Sequence, residues 1–166
     1  MKKLVLRYGI VGACVSITLG LLNWFTVAQS FSVEASQITG YASIILSLMC
    51  VPLGIRYFKH KLNSGIVPFK KALKIGTSIT LVNATITFLY SVLFFVFAGE
   101  EFANWRTSGM NEEALQRMNQ APDFVMSPLF QGLIMFLSVF FIGLIISLVS
   151  SVALSGTKKP ITRNLA

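Results

Sequence analysis

The chain has 166 residues, of which 54% are hydrophobic and only 12% charged, and its mean hydropathy is +0.72. A soluble domain carries roughly 25% charged residues, so this composition excludes an ordinary water-exposed surface. The formal net charge of +8 raises nucleic acid as a partner, but the placement of the charge along the chain points to a membrane and to no nucleic acid.

The first apolar run, residues 8–28, follows Met1-Lys2-Lys3. A secretory signal begins the same way, yet its apolar core is about 7–15 residues long and ends at a small-residue cleavage site. This run is longer, and Val27-Ala28-Gln29 is a poor site, so we expect it to be retained. Val11-Gly12-Ala13-Cys14 loosely resembles a lipoprotein cleavage box, but Arg7 interrupts the apolar stretch such a signal needs. Cys14 and Cys50 read as small buried hydrophobes, with no metal or disulfide framework.

The second run, residues 38–58, contains Pro52, which removes a helical hydrogen bond and crowds the Leu48 carbonyl. We expect a kink there. The third run, 72–98, is opened by Pro68, and the fourth, 128–154, by Ser127 as N-cap followed by Pro128. Each run reaches the roughly 20 residues that span a hydrocarbon core of about 30 Å. Backbone in lipid must satisfy its own hydrogen bonds, so all four are predicted as helices. Runs three and four are long enough, at about 40 Å each, to tilt or to project beyond the lipid.

Charge orients the bundle. Twelve of the fourteen basic residues precede the first helix, flank the second connection or follow the fourth helix (Lys2, Lys3, Arg7, Arg56, Lys59, Lys61, Lys70, Lys71, Lys74, Lys158, Lys159 and Arg163). All six acids (Glu34, Glu100, Glu101, Glu112, Glu113 and Asp123) fall on the other side, with Arg106 and Arg117. Basic residues in short loops stay cytoplasmic, so both termini and the second connection are expected inside.

The first connection, near Phe31–Gln37, is short and should form a helix hairpin. In the second, Asn63-Ser64-Gly65 is a turn signal. The third, near Gly99–Met126, contains Asn111–Met118, an amphipathic helix with Ala114, Leu115 and Met118 on one face. Phe102 and Trp105 are expected to anchor at the interface. The lysines of the second connection, together with Arg56, are expected to contact anionic lipid: Arg56, Lys59, Lys61, Lys70, Lys71 and Lys74.

Within the membrane no ionisable residue lies at mid-depth. Thr80, Asn83, Thr87 and Tyr90 form a polar stripe on the third helix, best explained by interhelical hydrogen bonds. Gly12, Ser16 and Gly20 on the first helix, and Gly143, Ser147, Ser151 and Ser155 on the fourth, form stripes that let helix backbones approach. The default partner of these stripes is another helix of the chain and the alternative is a second copy; for the protein as a whole a homo-oligomer or a membrane-protein partner is expected. No catalytic motif is visible. The single histidine, His60, lies in a basic loop without an acid beside it, and the expectation is no enzyme activity and no cofactor.

The stretch Gly54-Ile55-Arg56-Tyr57-Phe58-Lys59, then Asn63-Ser64-Gly65, then Phe69–Gly76, resembles the central signature of a bacterial four-helix membrane family catalogued as domain of unknown function 4199. That resemblance implies a bacterial inner membrane and assigns no activity, cofactor or catalytic residue. The expected protein is therefore an all-α integral membrane protein: one domain over residues 1–166, a bundle of four transmembrane helices with a short amphipathic helix in the outer loop. Its expected role is a non-catalytic component or scaffold of a membrane assembly; the alternative is a small oligomeric transporter or channel.

Overall fold

The computed structural model describes residues 1–28, 32–120 and 122–156. Lys158, Lys159 and Arg163 lie outside them, as do the side chains of Ala114, Arg117 and Met118. The elements are α1 (Lys2–Leu22) with a π-helical turn at Asn23–Val27, α2 (Val33–Leu48), α3 (Cys50–Tyr57) with a π-helical turn at Phe58–Leu62, α4 (Phe69–Ser108), α5 (Glu112–Asn119), a 3-10 turn (Asp123–Met126) and α6 (Pro128–Leu154). Among the described residues, four spans are long and apolar enough to cross a membrane: Lys2–Thr26, Val33–Leu62, Phe69–Ser108 and Pro128–Leu154.

The second span is two helices rather than one. Pro52 has no N–H for the Leu48 carbonyl, and the break falls at Met49, whose N–H turns back to Leu46 O at 3.2 Å. The helix resumes at once, with Leu53 N–H on Met49 O at 3.4 Å. The proline thus breaks the helix one turn before itself, where its missing donor is felt.

The expected turn forms at residues 63–65. Ser64 and Gly65 both take positive φ, 51° and 83°, a reversal that glycine makes without penalty. Asn63 Nδ2 donates to the Ile66 carbonyl across it.

α4 departs most from expectation. It starts at Phe69, with Pro68 as its N-cap and the Pro68 carbonyl accepting Lys71 and Ala72 N–H at 3.0 Å each. It then runs for 40 residues, about 60 Å of helix, instead of stopping at residue 98. Hydropathy falls at Gly99-Glu100-Glu101, but helix-compatible residues continue to Ser108. α5 occupies the place expected for the amphipathic helix. At the start of α6, Ser127 Oγ accepts the Phe130 N–H at 3.3 Å and Pro128 takes the first turn, as expected.

Packing is inside-out relative to a soluble protein. Among the described residues, eleven serine, threonine and asparagine side chains are buried. Large apolar residues such as Ile38, Phe97, Leu129 and Val152 are between 66% and 86% exposed. Lipid solvates such an exterior, and the polar groups find partners inside.

The most extensive pairing is α4 with α6. It is close because glycine stands at the crossings. A Cβ on Gly76 would lie 2.9 Å from Ser147 Oγ, and one on Gly132 2.7 Å from Val92 Cγ2. α1 crosses α4 in the same way: a Cβ on Gly9 would meet Val82 at 2.6 Å. A compact apolar cluster that includes Leu48, Val51, Ile55, Ile75, Ile79 and Val139 surrounds these contacts.

The helices alternate in direction, so the chain has a basic end and an acidic end. Tyr8 stacks obliquely near Tyr57, ring centroids 6.0 Å apart, and Val67 bridges Gly156. These contacts bring the start of α1, the 58–68 connection and the end of α6 together. At the opposite end Trp105 meets Ala28, and Gly109 packs on Val33.

Candidate functional site

A polar seam follows the bundle interior. On α4, Thr80, Asn83 and Thr87 are buried. Thr87 Oγ1 donates to Asn83 Oδ1 at 3.2 Å, and Thr80 Oγ1 and Ser147 Oγ share a hydrogen bond of 3.3 Å between α4 and α6. Ser147 Oγ also donates to the Gly143 carbonyl at 2.7 Å. Asn83 is only 1% exposed. Its amide nitrogen fills the space left by Gly12, where a Cβ would lie 2.9 Å from Nδ2 and 3.1 Å from the Ser47 carbonyl oxygen.

The stripe does not continue through Tyr90. That ring is half-buried and lies against Phe94, while Ser91, one residue on, is buried. The buried set is therefore Thr80, Asn83, Thr87 and Ser91, at spacings of three, four and four.

Among the small-residue positions, Gly12, Ser16, Gly143, Ser147 and Ser151 are buried in helix crossings. Gly20 departs from expectation, with nothing within 4 Å of an added Cβ. Ser155 is the half-exposed C-cap of α6. Each four-residue step turns a helix by about 40° beyond a full circle, so a strict four-residue stripe rotates off its interface.

The residue that stays on the α1 seam is Asn23, eleven positions after Gly12 and close to three whole turns. Its Nδ2 donates to both Ser36 O and Ser36 Oγ at 3.1 Å. Asn23 opens a π-helical turn, and Ser36 continues as a buried stripe with Ser43 and Ser47 on α2. Asn23 Oδ1 and Ser151 Oγ are buried without a hydrogen-bond partner.

The basic end divides its cations. Lys59 Nζ donates to the Leu154 carbonyl at 2.8 Å. It thus satisfies an orphan carbonyl and places positive charge at the C-terminus of α6. Lys71 Nζ lies 5.0 Å from the centroid of the Phe58 ring, a cation–π distance. Arg56, Lys61, Lys70 and Lys74 are exposed. So are Lys2, Lys3 and Arg7.

The acidic end is closed by aromatic rings. Trp24 lies 5.6 Å from Phe94, 5.8 Å from Phe102 and 5.7 Å from Trp105, by ring centroids. Trp105 Nε1 donates to the Ala28 carbonyl at 2.7 Å. That bond satisfies a carbonyl at the end of α1. Phe102 and Trp105, expected as interfacial anchors, tie α4 to α1. Sequence reading did not connect them to Trp24; the available signal was a tryptophan at the acidic end of each partner helix.

A cleft of about 540 Å³ opens at this end, lined by Ala28, Ser32, Val33, Trp105 and Gly109 among others. Among the described residues, no three histidine, cysteine or carboxylate side chains gather in one place.

No curated protein and no solved structure matches the chain. A family model described as "Protein of unknown function (DUF4199)" matches residues 7–155, from Arg7 to the end of α6, and so covers all four crossings, the basic turn and the seam. The chain belongs to the domain of unknown function 4199 family.

Proposed function

We propose that this protein is a non-catalytic component of a membrane assembly, seated in a bacterial inner membrane with both termini and the 59–67 turn in the cytoplasm. The observation that carries this reading is the state of Asn83. Its amide occupies the gap at Gly12, its carbonyl is engaged by Thr87, and its neighbour Thr80 is bonded to Ser147. Thr80 joins α4 to α6 and Asn83 packs α4 onto α1, while the Asn83–Thr87 bond lies within α4. The outward faces are mostly apolar, with Leu89, Val96, Phe97, Leu129, Phe141 and Ile145 among their exposed residues, and offer surface to partner helices or to a second copy.

Charge supports the orientation, because among the described residues every lysine and arginine outside the acidic connections lies at the basic end. Single cysteines placed at Lys61 and Gln120, with Cys14 and Cys50 replaced by alanine, test it: only the Gln120 position should react with an impermeant thiol reagent in whole cells. Purification in mild detergent after crosslinking in native membranes tests the assembly role. A stoichiometric partner or a second copy is expected, and a solitary monomer refutes it.

The second reading is a small oligomeric transporter or channel. It is favoured by the unpartnered Asn23 Oδ1 and Ser151 Oγ, two buried polar atoms on the α1 and α6 stripes. Solute flux into liposomes that disappears in Asn83→Leu would establish this reading over the first.

A further inference from the structure

The basic end is more than a topology signal, because its cations have different neighbours. Lys59 is consumed by the Leu154 carbonyl, and Lys71 lies over Phe58. Arg56 and Lys61 are exposed on one arm of the connection, Lys70 and Lys74 on the other. Lys70 and Lys74 are one turn apart on the same exposed face of α4. The Lys71–Phe58 contact holds the two arms side by side. Beside the charges, Leu53, Tyr57, Leu62 and Phe69 are 39% to 54% exposed, an apolar rim at the level where acyl chains meet headgroups. All six Asp and Glu residues of the sequence fall in or beside the connections of the opposite end, so among the described residues no acidic side chain stands beside these cations.

We propose that Arg56, Lys61, Lys70 and Lys74 form a binding surface for anionic phospholipid headgroups, and that Lys59 is excluded from it and serves as a clip on α6. Phosphodiester headgroups match the chemistry: a negative charge with several acceptor oxygens, at the depth where the side chains emerge. Long cationic side chains reach that depth while their stems cover apolar surface. The inference rests on the orientation proposed above only for which leaflet is engaged. Binding by purified protein does not depend on it, so the two fail separately.

The test uses the full chain reconstituted in vesicles of phosphatidylglycerol and phosphatidylcholine. Lipid retained by the protein after mild extraction is quantified by mass spectrometry. Each surface cation contributes about a fivefold preference, on the order of 1 kcal/mol. Wild type should therefore enrich phosphatidylglycerol, and the fourfold variant R56Q/K61Q/K70Q/K74Q should lose at least about tenfold of that enrichment. The charge-preserving K61R/K70R/K74R should keep it, and K59Q should keep it while lowering the thermal midpoint. Where the fourfold variant does not fold, the pair K70Q/K74Q should show a partial loss. Enrichment retained in the neutralised variants overturns the proposal, as does K59Q reducing enrichment as far as the fourfold variant does. Competition by millimolar inorganic phosphate to the same extent would assign the surface to free phosphate and overturn a lipid site.

Discussion

Two glycines of the small-residue stripes should respond unequally to one substitution, Gly20 with a gain and Gly143 with none or a loss. A Cβ on Gly143 falls against Thr80 Cγ2, 2.8 Å from Thr80 Oγ1 and 3.1 Å from Leu48 Cδ2. A Cβ on Gly20 meets nothing within 4 Å. Replacing glycine by alanine inside a helix gains about 1 kcal/mol from backbone propensity. Overpacking a filled contact costs about 1–3 kcal/mol. Gly20→Ala should therefore stabilise by up to about 1 kcal/mol. Gly143→Ala should range from neutral to a loss of about 2 kcal/mol, because the same gain offsets part of the cost. The difference between the two variants removes the propensity term and isolates the overpacking, about 1–3 kcal/mol. Titration from mild detergent into sodium dodecyl sulfate, read by protease protection of the folded bundle, measures both. Equal shifts in the two variants would refute the claim that α4 and α6 meet at Gly143 while Gly20 is off the interface.

Other substitutions probe single contacts. Thr80→Val removes the 3.3 Å bond to Ser147 with little change of shape and should cost about 0.6 kcal/mol in the same titration; a loss several times larger would mean that the seam acts as one cooperative network. Trp105→Phe keeps a ring in the aromatic cluster but removes the donor to the Ala28 carbonyl, at about 1 kcal/mol, and Trp105→Ala should cost more. Pro52→Ala supplies the N–H that the Leu48 carbonyl lacks, so hydrogen exchange at residue 52 should be slow and the break at Met49 should close. A fast amide there would place the cause of the break elsewhere.

Hydropathy located the crossings because lipid demands long apolar runs, but hydropathy reports lipid contact, not helix. This is why α4 overran its expected end by ten residues: Glu100 to Ser108 are mostly polar, yet nothing there stops a helix, and Trp105 holds the extension against α1. The break at Met49 was legible because proline's missing donor has a fixed address four residues back. The interior was legible only in part. Three- and four-residue steps do not tell which of Tyr90 and Ser91 continues a stripe, and here the small hydroxyl faces the neighbouring helices while the phenol turns aside. Gly20 leaves the interface and Asn23 stays on it for one reason: a repeat of four drifts around the helix, whereas eleven residues nearly close three turns. The division of the lysines was invisible in sequence, since it depends on where the carbonyl of Leu154 comes to rest, 95 residues from Lys59.

The aromatic closure of the acidic end has a practical consequence. The chain contains two tryptophans, and both sit in that one cluster, 5.7 Å apart. Tryptophan fluorescence, excited selectively over the four tyrosines, is therefore a local probe. It reports whether α1 and the extension of α4 remain joined, and it is blind to events at the basic end. A ligand that binds among the lysines and still alters the emission must have moved the far end of the bundle.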